Sequence, residues 1–270
     1  MQSPTKHYKL NNKQIHILIL IYKFRFINSS LLARYKAISR ISANNSLKVL
    51  LDQDYIGSRY EKRYKIQGKG PRYYLTPKGV RLVKAKLDDD LSELTIANLY
   101  RNKSVTETFV EHTIDVMSVV LALKAMHPDI FHIFTRTELG DYDFFPKPKP
   151  DLYLNRIKTS AKSYNEYMLE IFTATPLFII KYRIKEYLEH FDTDEWEAES
   201  ETDYPVILIA CPTKSDEQQL QKYIASKLDN IGIDNDELNI YTTSTQTLTS
   251  LDSDKFIWTS VYDPKVLISI

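Results

Sequence analysis

Apolar residues in the first part of the chain recur at helical spacing. Residues 12–22 place apolar side chains at i, i+3, i+4 and i+7, the pattern of one helix face. Capping residues at 28–30, followed by a short apolar pattern, predict a second helix. A third helix is predicted to begin near Ser42, with apolar residues facing inward and Asn44, Asn45 and Lys48 facing out.

A different pattern follows these helices. Two β-rich runs, residues 55–66 and 72–76, are separated by Gly68-Lys69-Gly70-Pro71, which is typical of a turn between strands. Thr76-Pro77 then caps a fourth predicted helix that ends near Leu87. Three helices followed by a hairpin predict a winged helix-turn-helix domain over residues 1–87.

The predicted winged helix carries candidate DNA contacts. In this fold the third helix enters the major groove, where Asn pairs with adenine and Lys with guanine, so Asn44, Asn45 and Lys48 are candidate base readers. The hairpin interleaves tyrosines with cations, which suits phosphate contact and stacking. Its candidate contacts are Arg59, Lys62, Arg63, Lys65, Lys69 and Arg72. The alternatives are a solvated basic surface, tyrosines that pack across strands, or a protein-docking module.

Alternating helices and strands follow a predicted connector at residues 88–103. The pattern predicts a mixed-sheet α/β domain over residues 104–270, opened by a long helix at 104–126. Strands are predicted near 131–139, 151–157, 166–174, 204–211, 238–243 and 255–259, and helices near 176–191 and 215–231. The acidic stretch 192–201 is predicted to form an exposed loop.

Charge separates the two predicted domains. Residues 1–86 contain 19 Lys and Arg against 3 Asp and Glu, and the remaining 184 residues contain 17 against 32. The whole chain therefore has a net charge of +1 although its first part is strongly basic. Such a basic block favours a polyanion as partner, because neutralised phosphates release counterions. Double-stranded DNA is the predicted partner.

Cysteine content and hydropathy indicate the compartment in which the protein is expected. Cys211 is the single cysteine, which excludes an internal disulfide and is typical of a reducing compartment. The longest apolar run near the start, residues 17–22, is too short to span a bilayer, and no signal-peptide pattern follows it. We therefore expect a cytoplasmic protein without membrane association.

Acidic residues of the second domain suggest a nuclease-like outline. The predicted order of one helix, three strands, a helix and a strand, with Pro150-Asp151 and Glu170 on adjacent strands, is typical of the PD-(D/E)xK restriction-endonuclease-like fold. In that outline the two carboxylates bind Mg²⁺, with Glu138 as a third candidate ligand. Phe172 occupies the expected lysine position, and Lys181 is the candidate substitute. The alternative is turn chemistry at Pro150-Asp151 and a solvent-facing Glu170.

These motifs, taken in order, resemble the plasmid replication-relaxation protein family. The resemblance rests on the Tyr-Tyr-Leu-Thr-Pro-Lys-Gly-Val segment at 73–80, the helix segment 111–116, Glu138, and the Asp151 and Glu170 strand pair. It covers residues 10–211 and implies DNA binding near an origin. Family members tend to follow the second acid with another acid, whereas this chain continues Ile171-Phe172.

Three functions remain open from the sequence. The first is a DNA-binding accessory protein of plasmid or mobile-element replication or mobilisation, which dimerises or recruits replication or mobilisation proteins and for which the sequence identifies no cofactor. The second is a Mg²⁺-dependent nuclease or nickase that uses Asp151, Glu170 and Lys181. The third is a winged-helix transcriptional regulator. The sequence favours them in that order.

Overall fold

The chain forms two compact units. The structure is a computed structural model that describes residues 10–87, 91–157, 166–234, 236–250 and 256–270. The N-terminal unit ends at Met117 and the C-terminal unit begins at Ser118. The predicted connector at 88–103 thus belongs to the N-terminal unit, although residues 88–90 lie outside the described residues.

Three capped helices open the N-terminal unit. The first has a reciprocal capping box between Asn11 and Gln14, and the others begin after Asn28 and Ser39, whose side chains accept backbone N–H bonds. The helices are α1 (Asn12–Phe24), α2 (Ser29–Lys36) and α3 (Arg40–Asp52). All three lie where the apolar spacing predicts them.

A two-stranded wing follows the three helices. Strands β1 (Ile56–Arg59) and β2 (Arg72–Leu75) pair antiparallel, from Ile56 opposite Leu75 to Arg59 opposite Arg72. An isolated bridge between Ile27 and Tyr73 adds a short third segment beside β2. Helices α1–α3 and this wing make the unit a winged helix-turn-helix, which confirms the predicted fold class.

The predicted strand at 55–66 is wrong in its second half. It ends at Arg59, and Lys62–Ile66 forms a short helix, α4, between the wing strands. Tyr64 is 1% exposed and Ile66 is 88% exposed, so the two residues face opposite environments. A continuing strand would have turned both to the same side, because side chains two apart share a face.

Further helices complete the N-terminal unit. Helix α5 (Pro77–Leu87) begins at the predicted Thr-Pro cap. A Cβ at Gly79 would lie 2.1 Å from the carbonyl oxygen of Tyr55, so only glycine allows the backbone of α5 to come this close to Tyr55. Helix α6 (Glu93–Tyr100) and a 3₁₀ turn (Arg101–Lys103) follow. The Arg25 Nη2 group donates to the carbonyl oxygen of Asn98 at 2.6 Å, which holds this segment within the unit. Helix α7 (Glu107–Met126) comes next, and its residues from Ser118 onward belong to the C-terminal unit.

The C-terminal unit is built on a seven-stranded mixed sheet. Its strands are β3 (Phe131–Thr135), β4 (Leu152–Arg156), β5 (Glu166–Ile171), β6 (Val206–Cys211), β7 (Ile240–Ser244), β8 (Trp258–Ser260) and β9 (Leu267–Ile268). They lie in sequence order in the sheet. The central pairs β5–β6 and β6–β7 are parallel and the other pairs are antiparallel. The mixed α/β sheet predicted from the sequence is confirmed.

Helices alternate with the strands of this unit and pack against the sheet. They are α8 (Leu177–Phe191), α9 (Glu195–Ser200), α10 (Lys214–Ile231) and α11 (Thr245–Thr249), and a 3₁₀ helix spans Glu138–Asp141. Ile180 and Ile184 of α8 pack with Leu220 and Ile224 of α10 against Met168, Ile207 and Ile209 of the sheet. This core positions α8 over β5.

Two predictions for the C-terminal unit are wrong. The strand at 131–139 ends at Thr135, so Glu138 lies in the 3₁₀ helix instead of on a strand. The acidic stretch 192–201 contains α9 instead of an exposed loop. Trp196 is 2% exposed and packs against Phe144 and Phe145, with ring centroids 5.2 and 5.1 Å away. Burial of this large ring stabilises the helix despite its surrounding carboxylates.

Within the described residues, none of the helices has the length and apolarity needed to cross a bilayer.

Candidate nucleic-acid interface and a buried carboxylate cluster

Helix α3 separates its apolar and polar residues onto opposite faces. Ala43, Leu47 and Leu50 are each 0% exposed and form the buried face. Asn44, Asn45 and Lys48 are exposed, and none of them makes a hydrogen bond or ion pair with a described residue. We call these three residues the outward face of α3. Their donors and acceptors remain available to an external partner.

The wing cations are mostly engaged within the N-terminal unit. Arg59 donates to the carbonyl oxygen of Val105 at 2.7 Å and pairs with Glu107 at 3.4 Å. Arg63 pairs with Glu61 at 2.9 Å and with Glu107 at 3.3 Å. Two of the predicted phosphate contacts therefore already have carboxylate partners.

A second carboxylate, Glu111, binds Lys69 of the loop before β2 and Arg72 of β2. Glu111 accepts from Lys69 at 2.7 Å and from Arg72 at 2.9 and 3.1 Å. Arg72 is 4% exposed, so its guanidinium lies in the interior of the unit. Burial raises the pKa of Glu111, but the hydrogen bonds and charges of Lys69 and Arg72 outweigh it and lower the pKa overall.

The wing helix keeps two free cations. Lys62 and Lys65 are exposed on α4 and pair with none of the described carboxylates. Of the six predicted wing contacts, these two are exposed and have no carboxylate partner among the described residues. Sequence reasoning missed Glu107 and Glu111, although their i, i+4 spacing on a predicted helix signals a shared acidic face.

The wing tyrosines pack instead of forming an open stacking surface. Tyr64 is buried, donates to Glu107, and lies under the guanidinium of Arg72, 5.2 Å from its ring centroid. Burial raises the pKa of Tyr64, and the neighbouring Glu107 adds to that rise. Tyr74 contacts Gly57 across the hairpin, where a Cβ would lie 2.5 Å from the ring. Tyr60, at 53% exposure, is the open exception.

Asp151 and Glu170 come together in the C-terminal unit. Asp151 precedes β4 and is 4% exposed, while Glu170 lies on β5 and is 2% exposed. Arg136 Nη2 lies 3.0 Å from Asp151 Oδ1 and 3.6 Å from Glu170 Oε2, so one guanidinium touches both carboxylates. Asp151 Oδ2 also accepts from the backbone N–H of Ile171 at 3.0 Å.

A second arginine reaches Glu170 from α8. Arg183 donates to Glu170 Oε1 from Nη2 at 2.6 Å and from Nε at 3.0 Å, and Tyr187 donates from its hydroxyl at 2.8 Å. Arg183 also lies over the Tyr187 ring, 4.4 Å from its centroid. We call Asp151, Glu170, Arg136, Arg183 and Tyr187 the carboxylate cluster. Burial and the charge of Glu170 act on Arg183 in opposite directions, and Glu170 raises its pKa overall.

Glu138 and Lys181, the other predicted site residues, contact groups outside this cluster. Glu138 Oε2 accepts from the backbone N–H and the hydroxyl of Thr135, at 2.9 and 3.1 Å. Lys181 lies over the Tyr223 ring, 4.9 Å from its centroid, and makes no ion pair with the described residues. Phe172, in the expected lysine position, is 8% exposed within the core.

In this structure, side chains of the protein contact the predicted Mg²⁺ ligands. Among the described residues, no group of three His, Cys, Asp or Glu side chains is arranged to hold a metal ion. The guanidinium of Arg136 lies where a cation shared by Asp151 and Glu170 would sit. Glu138 accepts hydrogen bonds from Thr135. A magnesium ion would have to displace these partners to reach the three carboxylates.

Sequence reasoning missed both arginines of the cluster. Arg183 carried a usable signal, because it shares a helix face with Ile180, Ile184 and Tyr187, all 0% exposed. A charge on the apolar face of a helix requires a buried partner. Arg136 follows β3 directly and carried no comparable signal.

Comparison with known proteins places the chain in one family. No curated protein matches it. Among solved structures, two mutants of Lactococcus lactis ZitR match with TM-scores of 0.27 and 0.25 and identities of 23% and 22%. These alignments cover 42% and 41% of this chain and 73% and 75% of the ZitR chains. A model of the replication-relaxation family matches residues 18–199. The chain therefore belongs to the replication-relaxation family, as its motifs predict.

Proposed function

We propose that the chain is a DNA-binding accessory protein of plasmid or mobile-element replication or mobilisation, and that α3 recognises its duplex site. The observation that carries this proposal is the outward face of α3, where Asn44, Asn45 and Lys48 are exposed without partners among the described residues. Amide and ammonium groups of this kind suit the base edges of the major groove. Membership in a replication-relaxation family supports the replication context.

Lys62 and Lys65 supply the backbone contacts in this proposal. Both are exposed on α4, between the wing strands, and neither is neutralised by a described carboxylate. A phosphate contact gives affinity without sequence information, whereas base contacts on α3 give specificity. Arg59, Arg63, Lys69 and Arg72 hold the wing in shape through Glu107 and Glu111.

The carboxylate cluster supports a structural role more strongly than a nuclease centre. Two guanidiniums neutralise two nearly buried carboxylates, which stabilises charges that would otherwise be costly in the interior. A Mg²⁺ nuclease would need those oxygens for metal. We therefore propose that the cluster fixes α8 on β5, and that the C-terminal unit serves dimerisation or recruits replication proteins.

The test is binding of the full chain to duplex DNA by fluorescence anisotropy, with salt varied and Mg²⁺ chelated. We expect affinity that falls steeply with salt and persists without Mg²⁺. The Asn44→Ala, Asn45→Ala, Lys48→Ala triple variant is expected to lose specific affinity by about tenfold or more. Lys84→Ala, which removes an exposed cation of α5, is the matched control and is expected to change affinity far less.

Two results would contradict the proposal. One is the absence of salt-sensitive duplex binding. The other is a triple variant that binds its site as tightly as the wild type while keeping a native circular dichroism spectrum. Cleavage of supercoiled or single-stranded DNA with Mg²⁺, abolished by Asp151→Ala, would favour the nuclease alternative.

A further inference from the structure

Ile41 is an apolar residue placed on the polar side of α3. It is 73% exposed, compared with 39% for Val49 and 37% for Leu51, the other exposed apolar residues of this helix. Ile41, Asn44, Asn45 and Lys48 stand at i, i+3, i+4 and i+7, so all four side chains share one helix face. The isoleucine therefore continues the outward face of α3 by one turn toward its N-terminus.

The position of Ile41 suits a specific apolar partner in DNA. The N-terminal residues of a recognition helix are those that reach base edges most directly. In the major groove, thymine presents a C5-methyl group, and apolar side chains contact it, whereas the other three bases present polar edges there. Ile41 has no polar group for those edges.

We propose that Ile41 reads a thymine methyl group, so that the recognised duplex contains an A·T base pair under the N-terminal half of α3. This inference rests on the proposed function and adds the class of base pair that the site must contain. Asn44 and Asn45 follow Ile41 by three and four residues, or about 4.5–6 Å along the helix. Base pairs are about 3.4 Å apart. Since the separation along the duplex is at most the separation along the helix, we place the thymine within about two base pairs of an adenine that Asn44 or Asn45 reads.

The probe is the duplex that the full chain enriches from a random library of about 20 base pairs, tested by fluorescence anisotropy. Each thymidine is replaced in turn by deoxyuridine, which removes the C5-methyl group and preserves base pairing. We expect at least one replacement to weaken wild-type binding about fourfold, the loss of one buried methyl-sized contact. Ile41→Ala is expected to bind the thymidine and deoxyuridine duplexes equally.

Ile66→Ala is the matched control. Ile66 is 88% exposed in the same unit, on α4 of the wing, so the variant removes the same side chain from another element. It is expected to keep the fourfold preference for thymidine. Asn44→Ala and Asn45→Ala are expected to keep it as well, although both bind more weakly.

Each possible result decides between the two proposals. No enriched duplex and no salt-sensitive binding would overturn the proposed function and the inference together. A site without thymine near adenine, a wild type indifferent to deoxyuridine at every position, or an Ile41→Ala variant that keeps the preference would overturn the inference alone. Duplex recognition by α3 would stand in those last three cases.

Discussion

The outward face of α3 and the carboxylate cluster use polar residues in opposite ways. On α3, Asn44, Asn45 and Lys48 face solvent without partners among the described residues. In the cluster, Asp151 and Glu170 are nearly buried and contacted by two guanidiniums. A buried charge must be paired to be tolerated, whereas an exposed polar group keeps its hydrogen-bonding capacity for a partner. Pairing, more than charge density, distinguishes a binding surface from a structural one.

The wing is intermediate between these two regions, because most of its cations are paired and two are not paired with described residues. It has the densest run of cations in the chain, yet Glu61, Glu107 and Glu111 neutralise most of them. The wing therefore has less free charge than its sequence suggests, and its available cations are concentrated on α4.

Loss of Arg183 is expected to have the largest effect. Arg183→Met leaves Glu170 nearly buried without its closest cation, which should lower the free energy of unfolding of the C-terminal unit by about 3–5 kcal/mol. Both tryptophans, Trp196 and Trp258, lie in this unit, so urea unfolding followed by tryptophan fluorescence reports on it. The Glu170→Gln, Arg183→Met double variant should recover part of the loss. A single variant as stable as the wild type would contradict the structural role.

Removal of the Glu111 charge tests whether its ion pairs with Lys69 and Arg72 stabilise the N-terminal unit. Glu111→Gln should lower the stability of the N-terminal unit by about 1–3 kcal/mol at pH 7, because Arg72 stays buried without its carboxylate. The folded pKa of Glu111 is below its ordinary value of 4.5. The wild-type advantage should therefore be complete above pH 4.5 and disappear as pH falls through the lowered pKa. Unfolding of both proteins, followed by circular dichroism across this range, measures it. A stability difference between wild type and Glu111→Gln that stays constant at all pH values would contradict the ion pairs.

Loss of the free wing lysines should change binding without changing stability. Lys62→Ala and Lys65→Ala each remove one exposed cation that pairs with none of the described carboxylates. If each contacts a phosphate, each should reduce the slope of log affinity against log salt by about one and weaken binding equally across sequences. Lys69→Ala, which breaks a pair with Glu111, serves for comparison and should change the slope less. Equal slopes for all three variants would contradict the distinction between free and paired cations.

Magnesium should have the smallest effect. Since Arg136 lies between Asp151 and Glu170, millimolar Mg²⁺ should leave the unfolding midpoint of the C-terminal unit unchanged. Arg136→Ala removes the guanidinium that touches both carboxylates and makes the comparison sharper. A wild-type midpoint that rises with Mg²⁺, and not with the same ionic strength of NaCl, would contradict this assignment of the cluster.

The sequence predicts local structure well where one periodicity dominates. Helices α1, α3 and α8 carry clear apolar stripes and lie where they are predicted. The wing helix was missed because Tyr64 and Ile66 alternate like a strand although only Tyr64 is buried. Helix α9 was missed because its carboxylates mask Trp196, whose burial depends on aromatic rings distant in sequence. Tertiary packing decided both elements.

For the candidate sites, too, the sequence predicts what local patterns determine and misses what tertiary contacts determine. The exposure of Asn44, Asn45 and Lys48 follows from helix period alone, so the sequence could place them. The approach of Asp151 to Glu170 follows from neighbouring strands, and the sequence anticipated it as well. Their arginine partners come from a different strand end and a helix, so the local pattern could not reveal that these acids are neutralised.

A crossed comparison of two variants tests the central claim most directly. The α3 triple variant and the Glu170→Gln, Arg183→Met variant are each measured for affinity to the enriched duplex and for their unfolding midpoints. Our account predicts that the α3 variant loses affinity by about tenfold or more with an unchanged midpoint. It predicts that the cluster variant keeps its affinity with a lowered midpoint. An α3 variant that binds normally, or a folded cluster variant that loses duplex binding, would contradict the claim that unpaired residues of α3 recognise DNA and paired residues of the cluster stabilise the fold.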